Sequence, residues 1–111
     1  MIEEIIINYL SKALSVPVYA EIPKKKSEQY IIVEKIAGGL VEKIKASSVS
    51  VYSYSSTQYK AAELDEVVRN TMLDIVSLDN ISSCKVGGES RSNDVLNKEY
   101  RYETIFNLYH Y

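Results

Sequence analysis

The side chains that could do chemistry in this sequence are few and scattered. The one histidine, His110, is the penultimate residue. It has no acidic or nucleophilic partner close in sequence, so it reads as a polar strand residue and not as a general base. A metal site built on it would need carboxylates from elsewhere, and no His/Asp/Glu spacing supplies them. Cys84 is the one cysteine, which excludes an internal disulfide framework and a cysteine-based zinc site. Without a Cys-x-x-Cys partner it reads as a small buried residue. Glu3-Glu4 and Glu63-x-Asp65-Glu66 read as solvated carboxylates on exposed helical faces, without the apolar setting that raises a carboxyl's pKa for acid–base work. Gly38-Gly39 and Gly87-Gly88 lack the Gly-x-Gly-x-x-Gly or Walker spacing that wraps backbone amides around phosphates. The expectation is a chain that is not an enzyme and takes no cofactor.

Bulk composition narrows the partners. The 111 residues suit a single domain, carry 46% apolar and 25% charged residues, and have a formal net charge of −2. Such a balance gives no strongly basic face for nucleic acid, so no nucleic-acid specificity is expected. The run Lys24-Lys25-Lys26 beside Pro23 reads as a solvated turn. No stretch approaches the roughly 20 apolar residues that span a bilayer. Met1-Ile2-Glu3-Glu4 is acidic where a signal peptide would be basic. A soluble intracellular product, away from membranes, is expected.

The elements that must position these residues follow from periodicity. Ile2, Ile5, Ile6, Tyr9, Leu10, Ala13 and Leu14 have helical spacing, and Pro17 predicts the end of that helix. Val16 to Ile22 reads as a short extended piece, and Tyr30 to Ile36 as a strand that is apolar on both faces at its start. Ala46 to Tyr54 alternates: Val49, Val51 and Ser53 on one face, and Ser48, Ser50, Tyr52 and Tyr54 on the other. Together these strands predict a long hairpin with Gly38 and Gly39 at its tip; Leu40 to Lys45 fits helix or strand extension equally. Ser55-Ser56-Thr57-Gln58 matches a capping box with a serine cap. It opens a helix with Ala61, Leu64, Val68, Met72 and Ile75 on one stripe and Asp65 off it. Ile81 to Val86 fits a strand, and Gly87 to Asp94 reads as a mobile loop. Lys98 to Tyr111 alternates throughout, with Tyr100, Tyr102, Thr104, Phe106 and Leu108 on one face. The predicted architecture is one α+β domain over residues 1–111, a two-layer sandwich of a mainly antiparallel sheet with both helices on one face.

Association has more support in the sequence than catalysis. There are ten tyrosines against one phenylalanine and no tryptophan. Tyrosine suits half-buried strands and partner-covered surfaces alike, and both readings stand at this point. Unpaired strand edges template association. The candidate interface residues by position are Gly38, Gly39, Glu42 and Lys43 around the hairpin tip, Tyr52 and Tyr54 on its return strand, Arg91 in the predicted loop, and Tyr109 and Tyr111 at the aromatic end of the last strand.

The order of elements also resembles a known family. The likeness is carried by the opening helix with Val18-Tyr19-Ala20-Glu21-Ile22-Pro23, by Tyr30-Ile31-Ile32-Val33-Glu34-Lys35, by Val49-Ser50-Val51-Tyr52-Ser53-Tyr54 running into Ser56 to Ile75, and by Tyr100 to Tyr109. It covers nearly the whole chain and resembles the small tail-completion (tail terminator) proteins of long-tailed phages and of prophages in Gram-positive bacteria. That resemblance implies a ring, typically hexameric, which caps the tail tube, stops its polymerisation and presents a surface to the head–tail connector. The implied partners are further copies of the chain, the tail-tube protein and the connector protein. The implied setting is the bacterial host cytoplasm during assembly and the virion tail thereafter. A head-completion or other minor morphogenesis protein, or a small oligomeric ligand-binding module, is the alternative.

Overall fold

The computed structural model describes residues 2–41, 44–91, 93 and 99–111. Glu42 and Lys43 lie outside the described residues. Among these residues the chain forms two α-helices and a five-stranded sheet. Helix α1 spans Ile2–Ala13. Its stripe Ile2, Ile6 and Leu10 is buried at the i, i+4, i+8 spacing of one helical face. Glu3 and Glu4 lie in its first turn and Lys12 in its last, each sign complementing the helix dipole.

Strand β1 is only Val18–Tyr19; β2 spans Tyr30–Val41 and β3 Ile44–Ser55. Helix α2 spans Gln58–Leu73 and passes into a 3-10 turn at Asp74–Ser77. The sheet is completed by β4, Ile81–Arg91, and β5, Tyr100–His110. Spatial order is β1-β2-β3-β5-β4. The short β1–β2 pairing is parallel, and every other pairing is antiparallel. The α+β sandwich expected from periodicity is therefore the fold.

Both helices pack on one sheet face. Ile31, Val33, Val49, Val51, Phe106 and Leu108 project from the strands into one cluster with Ile2, Ile6, Leu10, Leu64, Val68, Met72 and Ile75. Strand parity sends Tyr30, Ile32 and Tyr54 to the opposite face, where they form a second, small cluster with Tyr19 and Tyr52. No helix among the described residues covers that face. The early part of β2 is thus buried on both sides, as its unbroken apolar run requires.

Four local expectations are corrected. The α2 cap is Thr57, whose Oγ1 accepts from the Lys60 amide at 3.1 Å; extended backbone at Thr57, not at Ser55, starts the helix. Gly38 and Gly39 are no turn: they pair with Ser47 and Ala46 inside the β2–β3 ladder, so 40–41 and 44–45 are strand extension. Gly87 to Arg91 is no loop: this stretch continues β4, with Gly88, Glu89, Ser90 and Arg91 facing Ile105, Thr104, Glu103 and Tyr102. Register shifts at Lys35/Ala37 on β2 and at Ile81/Ser83 and Val86/Gly88 on β4 each accommodate one extra residue. Finally, Asp65 is buried at 2% exposure, not solvated.

Candidate interaction surface

The helix-free face carries most of the polar geometry. At one end Tyr30 and Tyr54 stack with ring centroids 4.5 Å apart and planes 10° from parallel. The Arg101 guanidinium lies 4.7 Å from the Tyr52 ring centre and 5.7 Å from that of Tyr54, and its Nη1 donates to the Tyr54 hydroxyl at 2.8 Å. This is a cation–π arrangement closed by a charge-assisted hydrogen bond. Tyr30 donates to Glu99 Oε2 at 2.7 Å, and Lys26 bridges the other Glu99 oxygen at 2.5 Å. Ser50 donates to Glu103 Oε2 at 2.7 Å. Burial, then the neighbouring Glu103 carboxylate, pushes the Tyr52 phenol above its usual range.

The same face is nearly bare at the other end. Gly39, Ala46 and Tyr109 form one row across three strands, and Ala37, Ser48 and Asn107 the next. With side chains this small on β2 and β3, the surface dips into a shallow depression of about 390 Å³ that Gly38, Gly39, Asn107 and Tyr109 help to line. Tyr109 is 46% exposed at its margin. A Cβ on Gly39 would meet nothing within 4 Å, whereas one on Gly38 would press on the Lys35 side chain at 2.8 Å.

The candidate residues named from sequence therefore divide. Gly38, Gly39 and Tyr109 come together at the depression. Tyr52 sits farther along the same face under Arg101. Arg91 is exposed at the end of β4, across from Tyr102. Tyr111 is 65% exposed beyond β5, its amide donating to the Asn80 carbonyl at 3.0 Å. Tyr54 is corrected: at 2% exposure it is a packing residue, because the Tyr30 ring covers it.

The helix-covered face holds polar groups that the spacing did not announce. Thr104, fully buried on β5, donates to Asp65 Oδ1 at 2.7 Å. Arg69 reaches Asp65 Oδ2 at 3.5 Å and also pairs with Glu89 on β4, tying α2 to two strands. Burial raises the Asp65 carboxyl above its usual range, against the lowering effects of Thr104 and Arg69. His110 Nε2 lies 2.8 Å from the Ser47 hydroxyl, and both residues are buried. Burial, with Lys45 and Lys35 nearby, holds the imidazole below its usual range despite a hydrogen bond to the Tyr111 backbone. Burial likewise drives the Cys84 thiol up to about 11, the direction that suppresses thiolate chemistry. Among the described residues no group of three or more His, Cys, Asp or Glu side chains converges as a metal site would.

The fold class is thus a two-layer α+β sandwich whose sheet has one helix-covered face and one uncovered face. No helix among the described residues is long and apolar enough to cross a membrane. No protein-family model and no curated protein matches the sequence.

Proposed function

We propose that this chain is a non-catalytic structural protein of a phage or prophage tail, of the tail-completion or terminator kind. In this reading it forms a ring, probed first as a hexamer, on the end of the tail tube, ends tube polymerisation and offers its outer side to the head–tail connector. The carrying observation is the uncovered sheet face, where Tyr109 stands beside a floor of Gly39 and Ala46. An aromatic ring beside bare backbone suits the close approach of another protein's surface. The family resemblance of the element order supplies the identity of that partner. The neighbourhood of the gene offers an independent check, since tube, tape-measure and capsid genes should flank it.

The direct test adds the purified protein to tail-tube subunits encoded in the same genome, then measures tube lengths by electron microscopy. Capped, length-limited tubes with a ring at one end are expected. Tubes that grow without limit at saturating protein would sink the terminator reading.

A further inference from the structure

We propose that copies of this chain join head to tail through the two edges of the sheet, β4 of one subunit pairing antiparallel with residues 33–41 of β2 in the next. Among the described residues, β4 hydrogen-bonds only to β5, so one side of an 11-residue strand is open. On the opposite edge β1 pairs only with Ile31 and Ile32 of β2, and among the described residues no other strand pairs with the outer side of β2. Open edges carry unpaired N–H and C=O groups and template further pairing. Exposed apolar side chains accompany both: Ile36 and Leu40 on β2, 48% and 68% exposed, and Val86 on β4, 41% exposed.

Strand polarity selects the geometry. From the pairings, β2 and β5 run one way, and β3 and β4 run the other. A rotation about an axis along the strands keeps each polarity, so it sets a neighbour's β2 beside β4 in antiparallel fashion. The heights also agree. Following the ladders across the sheet, Leu40 shares a row with Ile81, Lys35 with Val86, and Val33 with Glu89. The open stretch of β2 and the whole of β4 therefore face outward at one level. A two-fold pairing of β4 with β4 would leave the β2 edge bare, whereas one heterologous contact covers both edges and closes on itself.

Charge agrees on both faces. On the helix side, Lys35 of the neighbour would stand level with Val86 and one same-face row from Glu89, which Arg69 already engages. On the uncovered side, its Glu34 would stand level with Gly88 and one same-face row from Lys85. Such diagonal cross-strand neighbours lie within reach of long side chains, and opposite signs favour the pair.

This joint rests on the ring-forming part of the proposal above, but its test needs no tube. Hydrogen exchange of the protein alone, read by mass spectrometry at low and high concentration, should slow about tenfold or more at both 81–91 and 33–41. Protection of 81–91 alone would mean a two-fold dimer, and protection of neither would mean bare edges; each result overturns the joint. In sedimentation, Glu34→Lys should weaken association about fivefold, the scale of one cross-strand charge pair, and Glu34→Lys with Lys85→Glu should restore it. A double variant no better than the single also overturns it. Tubes capped by a protein whose edges stay unprotected would sink this joint and keep the tail reading; protected edges with uncapped tubes would do the reverse.

Discussion

The two faces of the sheet use the same strands for opposite purposes. On the helix side, β2, β3 and β5 contribute Ile31, Val33, Val49, Val51, Phe106 and Leu108, all buried, alongside a few polar residues such as Thr104 and His110. There the stabilisation comes from apolar area removed from water, about 25 cal/mol per Å². On the other side, the same strands offer tyrosines, Arg101, Glu103 and serines joined by hydrogen bonds and ring contacts. Apart from the buried Tyr30–Tyr54 stack, each of those contacts contributes a modest net stability, because folding exchanges it for hydrogen bonds to water. A face built in this way can meet another protein without the fold depending on it.

That contrast is broken most directly by truncating one ring on each face. Phe106 is 0% exposed in the helix-side core. Phe106→Ala should cost about 3–5 kcal/mol, the lost transfer energy plus a cavity. Tyr52 is half-buried under Arg101. Tyr52→Ala should cost about 1 kcal/mol, chiefly partial burial and the cation–π contact. Urea unfolding of both variants at neutral pH checks this. Equal losses would mean that the uncovered face is part of the core.

A smaller effect sharpens the comparison from inside the helix-covered face. Asp65 has a folded pKa raised by burial above the usual 3.8. The folded chain therefore holds this proton more tightly than the unfolded one between those two values. Its contribution is fully present below the unfolded pKa and is lost as pH rises through the folded pKa. His110 has the opposite sign: its folded pKa lies below the usual 6.5. Its contribution is present above 6.5 and lost as pH falls through the lowered value. Urea midpoints measured against pH should show Asp65→Asn removing a downward slope in the acid range. His110→Gln should remove an upward slope below 6.5. The opposite signs of the two slopes tell the two groups apart. Parallel curves for wild type and Asp65→Asn would mean that Thr104 and Arg69 cancel the effect of burial on the carboxyl.

How much of this was legible depends on the range of the interaction. The helical stripes and the alternation of β5 are local, and periods of 3.6 and 2 reveal them directly. His110 was legible by the same alternation, because two steps beyond Phe106 and Leu108 reach it on the core face. Asp65 carried a signal too: with Ala61, Val68 and Met72 it forms a second stripe on α2, all buried. Its charge argued for solvent only while Thr104 and Arg69, from β5 and the next turn, were unknown. Gly87 and Gly88 read as loop because glycine weakens strands in general, yet a bulge on an edge strand accepts it. Tyr54 was beyond local reading: its cover is Tyr30, set by hairpin register. The depression at Tyr109 likewise exists only once three strands are aligned.

That depression offers the smallest effect on stability and the sharpest separation of the two faces. A side chain at Gly39 enters open space, since its Cβ would meet nothing within 4 Å. Gly39 is in a regular ladder position opposite Ala46, and replacing a strand glycine reduces the freedom of the unfolded chain. Gly39→Glu should therefore leave the urea midpoint unchanged or slightly raised. If the uncovered face docks on a tube end, the new carboxylate fills the floor beside Tyr109 and places an unpaired charge in the contact, which is costly once water is excluded. Capping should then be lost while folding is kept. Gly38→Ala serves as the paired control: its methyl points to the other face and needs only the flexible Lys35 side chain to move, so capping should persist. Equal capping by the Gly39 variant and the wild type would remove this end of the face from the contact and leave the sheet edges as the surface through which the chain assembles.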